Sequence, residues 1–104
     1  MTPHNNINNY LLLEACKINN KALLSESIKN KGDINYVDQY NRNGLHYAVI
    51  NNSTNIIKAL IKYKQLNKKD SFNKYPIDYA KENNNKNIVN ILSRTFKTHT
   101  IKRK

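Results

Sequence analysis

His4, His46, His99 and Cys16 are the residues of this sequence best suited to metal binding or nucleophilic chemistry, and they are scattered along the chain. No pair of them has metal-ligand spacing, and no histidine stands near the cysteine in a nucleophile–base arrangement. Cys16 lies in the apolar run "LLLEAC", which marks it as a reduced structural thiol; alone, it excludes an internal disulfide and fits a reducing compartment. Asp38 and Asp70 are the best candidates for a carboxylate pair. They occupy the same place in two similar stretches, which would set them ~10 Å apart, beyond the reach of paired general acid–base work. There is no Gly-rich phosphate loop and no Gly-x-Ser-x-Gly elbow. The expectation is a non-enzyme with no catalytic residue, no metal and no cofactor.

The 104 residues suit one small domain, with a modest core and a thin stability margin. Net charge is +11, from 18 Lys+Arg against 7 Asp+Glu. That balance favours acidic proteins or nucleic acid as partners. Most of the cations are lysines and there is no arginine-rich stripe. A joint excess of Asn, Lys, Ile and Tyr also fits a skewed genome composition, so charge alone does not define a site. No stretch approaches the ~18 to 20 apolar residues of a membrane helix. The N-terminal "MTPHNNINNY" has neither a basic n-region nor an apolar h-region. The expected address is cytoplasmic or nuclear, or a host cell if the source is a parasite or virus. The tail "KTHTIKRK" (97–104) reads as a solvated basic tail, with nuclear targeting or phosphate binding as the alternative.

The elements that would carry these residues come in copies. A shift of 32 residues lays 38–62 over 70–94. Asp38 then meets Asp70, Asn41 meets Asn73, Tyr47-Ala48 meets Tyr79-Ala80, and Leu60 meets Leu92. Tyr40 falls on Phe72, Arg42 on Lys74, and Leu45 on Ile77. A weaker upstream copy puts Ala15 33 residues before Ala48 and Leu23-Leu24 before Ile56-Ile57. Within a copy the apolar spacing is helical: Ile56, Ile57, Leu60 and Ile61 share one face, with Lys58 and Lys62 opposite. A shorter helix should span about Leu45 to Asn51. "NNSTN" (51–55) reads as the turn between them, with Asn51 or Asn52 left-handed and Ser53 or Thr54 as a cap. "ENNNKN" (82–87) does the same in the next copy, and Asn41 and Asn73 suit positive φ in matching loops.

A unit of about 33 residues built from a loop and two helices resembles the ankyrin repeat. "DQYNRNGLHYA" (38–48) keeps Asp38, Leu45, His46 and Ala48 of the family signature, with Asn41 at its glycine, Asn43 at its threonine and Gly44 at its proline. "DSFNKYPIDYA" (70–80) keeps Asp70, Pro76 and Ala80, with Ile77 for leucine and Asp78 for histidine. "KGDIN" (31–35) resembles the family linker, shifted by one at the glycine. The resemblance covers about residues 8–95, as units 8–37, 38–69 and 70–95, followed by the tail 96–104. It implies an all-α helix-turn-helix solenoid of about three stacked repeats with projecting turns.

It also implies a non-enzymatic scaffold for protein–protein interaction, expected to be a monomer and to meet a protein with an acidic surface. The alternative is nucleic acid or another anionic surface, reached through net charge and tail. By resemblance the partner would touch finger tips and first-helix faces. Those are Gln39, Tyr40, Arg42 and Asn43 in one finger, and Ser71, Phe72, Lys74 and Tyr75 in the next. Lys17, Ile18, Ile50, Asn51, Glu82 and Asn83 add the helix face. Tyr40, Phe72 and Tyr75 would anchor, and Arg42 and Lys74 would steer. His46 looks like the family's loop-tying histidine; Asp38, Asp70 and Pro76 would brace turns.

Overall fold

The computed structural model describes residues 6–65 and 67–96. They form six helices: α1 (Ile7–Lys17), α2 (Lys21–Lys29), α3 (Gly44–Ile50), α4 (Thr54–Lys62), α5 (Pro76–Glu82) and α6 (Lys86–Thr95). No strand occurs among the described residues. Each second helix packs on the first helix of its own unit, α2 on α1, α4 on α3 and α6 on α5. The first helices pack on one another in chain order, α1 on α3 and α3 on α5. The result is an all-α solenoid. None of the described helices is long and apolar enough to cross a membrane.

The core follows the apolar stripes. Leu12, Cys16, Leu24, Leu45, Val49, Ile56, Ile57, Leu60, Ile88 and Leu92 are buried in one cluster running through all three units. Removing that surface from water at roughly 25 cal/mol per Å² supplies the main drive to stack.

Helix ends are set largely by asparagine. Asn20, Asn43 and Asn85 cap α2, α3 and α6 by accepting from the backbone N–H three residues on. Ser53 stands at the α4 cap position but makes no side-chain cap bond. Seven described residues have positive φ, and none is glycine. Asn19, Asn52 and Asn84 follow the first helices; Lys31 and Lys64 follow the second helices; Asn41 and Asn73 sit in the fingers. The repeat is thus punctuated by the same backbone conformation at the same three places.

Both glycines serve close approach instead. A Cβ on Gly32 would stand 2.8 Å from the backbone oxygens of Asn8 and Ser27. A Cβ on Gly44 would stand 2.7 Å from Cys16 Sγ. Gly44 occupies the family's proline position because α1 presses its thiol against the start of α3. That burial pushes the Cys16 thiol up to about 12, leaving it neutral.

Candidate functional site: the aromatic fingers

Each finger is a tight turn folded around its own aspartate. In the first, Asp38 Oδ1 accepts from the N–H groups of Tyr40 and Arg42 at 3.0 and 3.2 Å. In the second, Asp70 Oδ1 accepts from Phe72 and Lys74 at 2.9 and 3.0 Å. The other carboxylate oxygen of each aspartate accepts from a tyrosine hydroxyl nine residues on, Tyr47 for Asp38 and Tyr79 for Asp70. The repeated Tyr-Ala pair therefore has a job: its tyrosine moors the finger to the first helix. The equal Asp-to-Tyr separation in both copies is the signal that could have revealed it.

The two fingers are tied to each other. Ser71 N–H donates to the Tyr40 carbonyl oxygen at 2.8 Å, and Asn41 Nδ2 donates to the Lys69 carbonyl oxygen at 3.2 Å. At the centre, Arg42 Nε reaches Asp70 Oδ2 at 3.1 Å and its terminal nitrogen reaches the Tyr79 hydroxyl at 2.8 Å. The guanidinium carbon lies 5.1 to 5.7 Å from the ring centroids of Tyr40, Tyr47, Phe72 and Tyr79. Burial alone would raise the Asp70 carboxyl, but bonds from Tyr79, the Lys74 N–H and Arg42 outweigh it and hold it down to about 2.

Above this buried layer, Tyr40 and Phe72 face solvent. They are 42% and 54% exposed, with ring centroids 6.0 Å apart and planes tilted by 30°. Beside them a cleft of about 370 Å³ runs between finger and first helices, lined by Tyr10, Leu13, Lys17, Tyr36, Tyr40 and Tyr47. Exposed rings, a packed cation below them and a tyrosine-rich cleft beside them thus lie together on one side of the fingers.

The remaining candidates divide clearly. Gln39, Ser71, Glu82 and Ile18 are exposed. Ile50 and Tyr75 are half-buried, and Tyr75 stands at the cap position of α5 with Pro76 buried behind it. Asn51 and Asn83 are exposed, yet their amides bridge units: Asn51 Nδ2 donates to the Lys17 carbonyl oxygen at 2.8 Å, and Asn83 Nδ2 to that of Ile50 at 3.2 Å. Lys17 pairs with Glu14 at 3.3 Å and lies over the Tyr47 ring.

Four expectations are corrected. Asn43 is fully buried as the α3 cap and offers nothing to a partner. Arg42 is no free steering charge: its side chain is 19% exposed and is committed to Asp70 and Tyr79. Lys74 likewise pairs with Glu82. Phe96 is also not tail. It closes α6, its N–H donating to the Leu92 carbonyl oxygen at 2.9 Å, and packs on the core.

His46 is buried between units. Its Nε2 lies 3.1 Å from the carbonyl oxygen of Lys74, which can only accept, so Nε2 carries the proton. Nδ1 then accepts from Asn43 N–H at 3.2 Å, completing the α3 capping box. Burial pushes the imidazole below its ordinary range, so it stays neutral. In the next unit Asp78 takes the histidine's place and its carboxylate accepts from Tyr75 N–H at 2.8 Å. His4, His99 and the tail 97–104 lie outside the described residues. Among the described residues, no cluster of three His, Cys, Asp or Glu could hold a metal ion.

The family model for ankyrin repeats, in three copies, aligns with residues 12–102. No curated protein matches significantly. The repeat spacing, the finger-and-helix-pair units and this match agree, and the chain belongs to the ankyrin-repeat family.

Proposed function

We propose that this chain is a recognition scaffold that docks a protein partner across its two finger tips and the neighbouring first-helix face. Ankyrin repeats are generally protein–protein interaction modules and are typically non-enzymatic. The observation that carries the proposal is the exposed Tyr40–Phe72 pair, held over the half-buried Arg42 guanidinium. Large rings left in solvent on a braced support lose little conformational freedom when a partner covers them. Gln39 and Ser71 flank the rings with polar groups, and Ile18 and Ile50 extend the apolar contact down the helix face. The excess of positive charge suits a partner with an acidic surface.

Affinity capture with the wild-type chain beside Tyr40→Ala/Phe72→Ala tests this. A protein retained by the wild type and lost by the folded double variant is the expected result. Equal retention by both chains removes the finger tips from the interface.

A further inference from the structure

Charge is not spread evenly over the solenoid. The first helices α1, α3 and α5 carry Lys17 and Lys81 against Glu14, Asp78 and Glu82. The second helices α2, α4 and α6 carry Lys21, Lys29, Lys58, Lys62, Lys86 and Arg94 against Glu26 alone. All the ion pairs among the described residues lie on the finger and first-helix side: Lys17–Glu14, Arg42–Asp70 and Lys74–Glu82. No ion pair among the described residues involves a second-helix cation.

Three of those cations, Lys21, Lys58 and Lys62, border one depression. A cleft of about 520 Å³ between α2 and α4 is lined by Lys21, Ser25, Asn55, Lys58, Lys62 and Tyr63, all exposed. Lys58 and Lys62 stand one helical turn apart, a like-charge spacing that disfavours the helix. Lys21 is the first residue of α2, where the helix dipole also disfavours a cation. Both arrangements are relieved by an anion in the cleft. Tyr63, 42% exposed, supplies a ring at its edge, and Ser25 and Asn55 supply neutral hydrogen-bonding groups.

We propose that this second-helix cleft binds single-stranded nucleic acid, with Lys21, Lys58 and Lys62 on successive phosphates and Tyr63 stacked on a base. A positively charged groove with an aromatic platform is the arrangement such strands use, because every base has a π-face. Lysines one turn apart, about 6 Å, match the close spacing of phosphates on a flexible strand. A lipid surface fits less well. Among the described residues the large exposed hydrophobics are Ile7, Tyr10, Ile18, Tyr40, Tyr63 and Phe72, and of these Tyr63 alone borders the cleft, which leaves little there to insert. The site lies apart from the fingers, so it neither needs nor excludes the protein-docking surface.

The test is fluorescence anisotropy of the full chain with labelled oligothymidylate of about 20 nucleotides, across a salt series. Lys21→Gln/Lys58→Gln/Lys62→Gln should weaken binding at least about tenfold and lower the salt slope by about 2, at ~0.7 per phosphate contact. Tyr63→Ala should weaken it severalfold with the slope unchanged, because stacking releases no counterions. Tyr40→Ala/Phe72→Ala should bind as the wild type does. The proposal is overturned if the wild type does not bind, or if the triple-lysine variant binds equally. It is overturned equally if neutralising Lys102, Arg103 and Lys104 accounts for the whole loss. Polyglutamate bound as tightly as the oligonucleotide would make the occupant an acidic protein and sink it too.

Discussion

Arg42 and Asp70, 28 residues apart in the chain, meet at 3.1 Å between successive fingers, and the carboxylate they share is buried. The pair is the joint between two units. Asp70 holds its own finger with one oxygen and takes Arg42 and Tyr79 with the other. Removing the cation leaves a buried carboxylate with hydrogen-bond donors but no opposite charge beside it. Arg42→Ala should therefore cost about 3 kcal/mol in urea unfolding, as broken buried pairs do. Arg42→Lys should recover only part of that, since an ammonium lacks the fork that serves Asp70 and Tyr79 together. A loss under ~0.5 kcal/mol for Arg42→Ala would place the pair among inconsequential surface bridges.

Acid should unfold this domain in two steps, both with the same sign. His46 is neutral and its folded-state value lies below the ordinary 6.5. The unfolded chain thus takes up the proton first. The His46 contribution is fully present above pH 6.5 and declines as pH falls toward the lower folded-state value. Asp70 adds a second decline between 3.8 and about 2, because its folded carboxyl binds protons more weakly than the unfolded one. Urea midpoints from pH 8 to pH 2 read both steps. His46→Asn should lower stability at pH 8 and flatten the first decline. An unchanged slope between pH 6.5 and pH 5 in that variant would assign the step elsewhere.

Gly44 and Cys16 should behave as one unit. A methyl at 44 would sit 2.7 Å from the buried Cys16 Sγ, so one of the two must shift. Gly44→Ala should destabilise by about 1–3 kcal/mol through overpacking. Cys16→Ala alone leaves a small void and costs about 1 kcal/mol. The double variant should lose less than the sum, with a coupling near 1 kcal/mol in a double-mutant cycle. Simple additivity would show that the thiol does not exclude the methyl.

Much of this architecture was legible because repetition is a long signal. The 32-residue offset aligned Asp38 with Asp70 and Asn41 with Asn73, and these residues hold equivalent turns, with positive φ at both asparagines. The Ile56, Ile57 and Leu60 stripe is buried. Through-space pairing was not legible. Nothing local says that Arg42 turns inward to Asp70, so it read as a surface charge. Asn43 read as a finger residue because its threonine position in the signature carries no mark of burial. Asn51 and Asn83 read as partner contacts on the first-helix face, with no sign that they join units. Their amides bond the last carbonyls of α1 and α3, a role visible only once the units are stacked. The second-helix lysines were seen only as the polar face of a stripe, because charge segregation between layers needs the layers.

The linker glycine supplies a last prediction with opposite signs at adjacent positions. Lys31 and Lys64 close the second helices at φ 75° and 61°, where a side chain is disfavoured by about 1 kcal/mol or more. Their side chains are exposed, so Lys31→Gly and Lys64→Gly should each stabilise by about 1 kcal/mol, less the extra freedom glycine gives the unfolded chain. Gly32 differs in kind. Its φ is not positive, and its missing Cβ makes room for the carbonyl oxygens of Asn8 and Ser27, which as backbone atoms cannot turn aside. Gly32→Ala should therefore destabilise, although alanine is the stiffer residue in the unfolded state. Thermal unfolding of the three single variants decides the matter. If Gly32→Ala raised the midpoint while Lys31→Gly lowered it, the left-handed conformation and the close approach would have been assigned to the wrong residues.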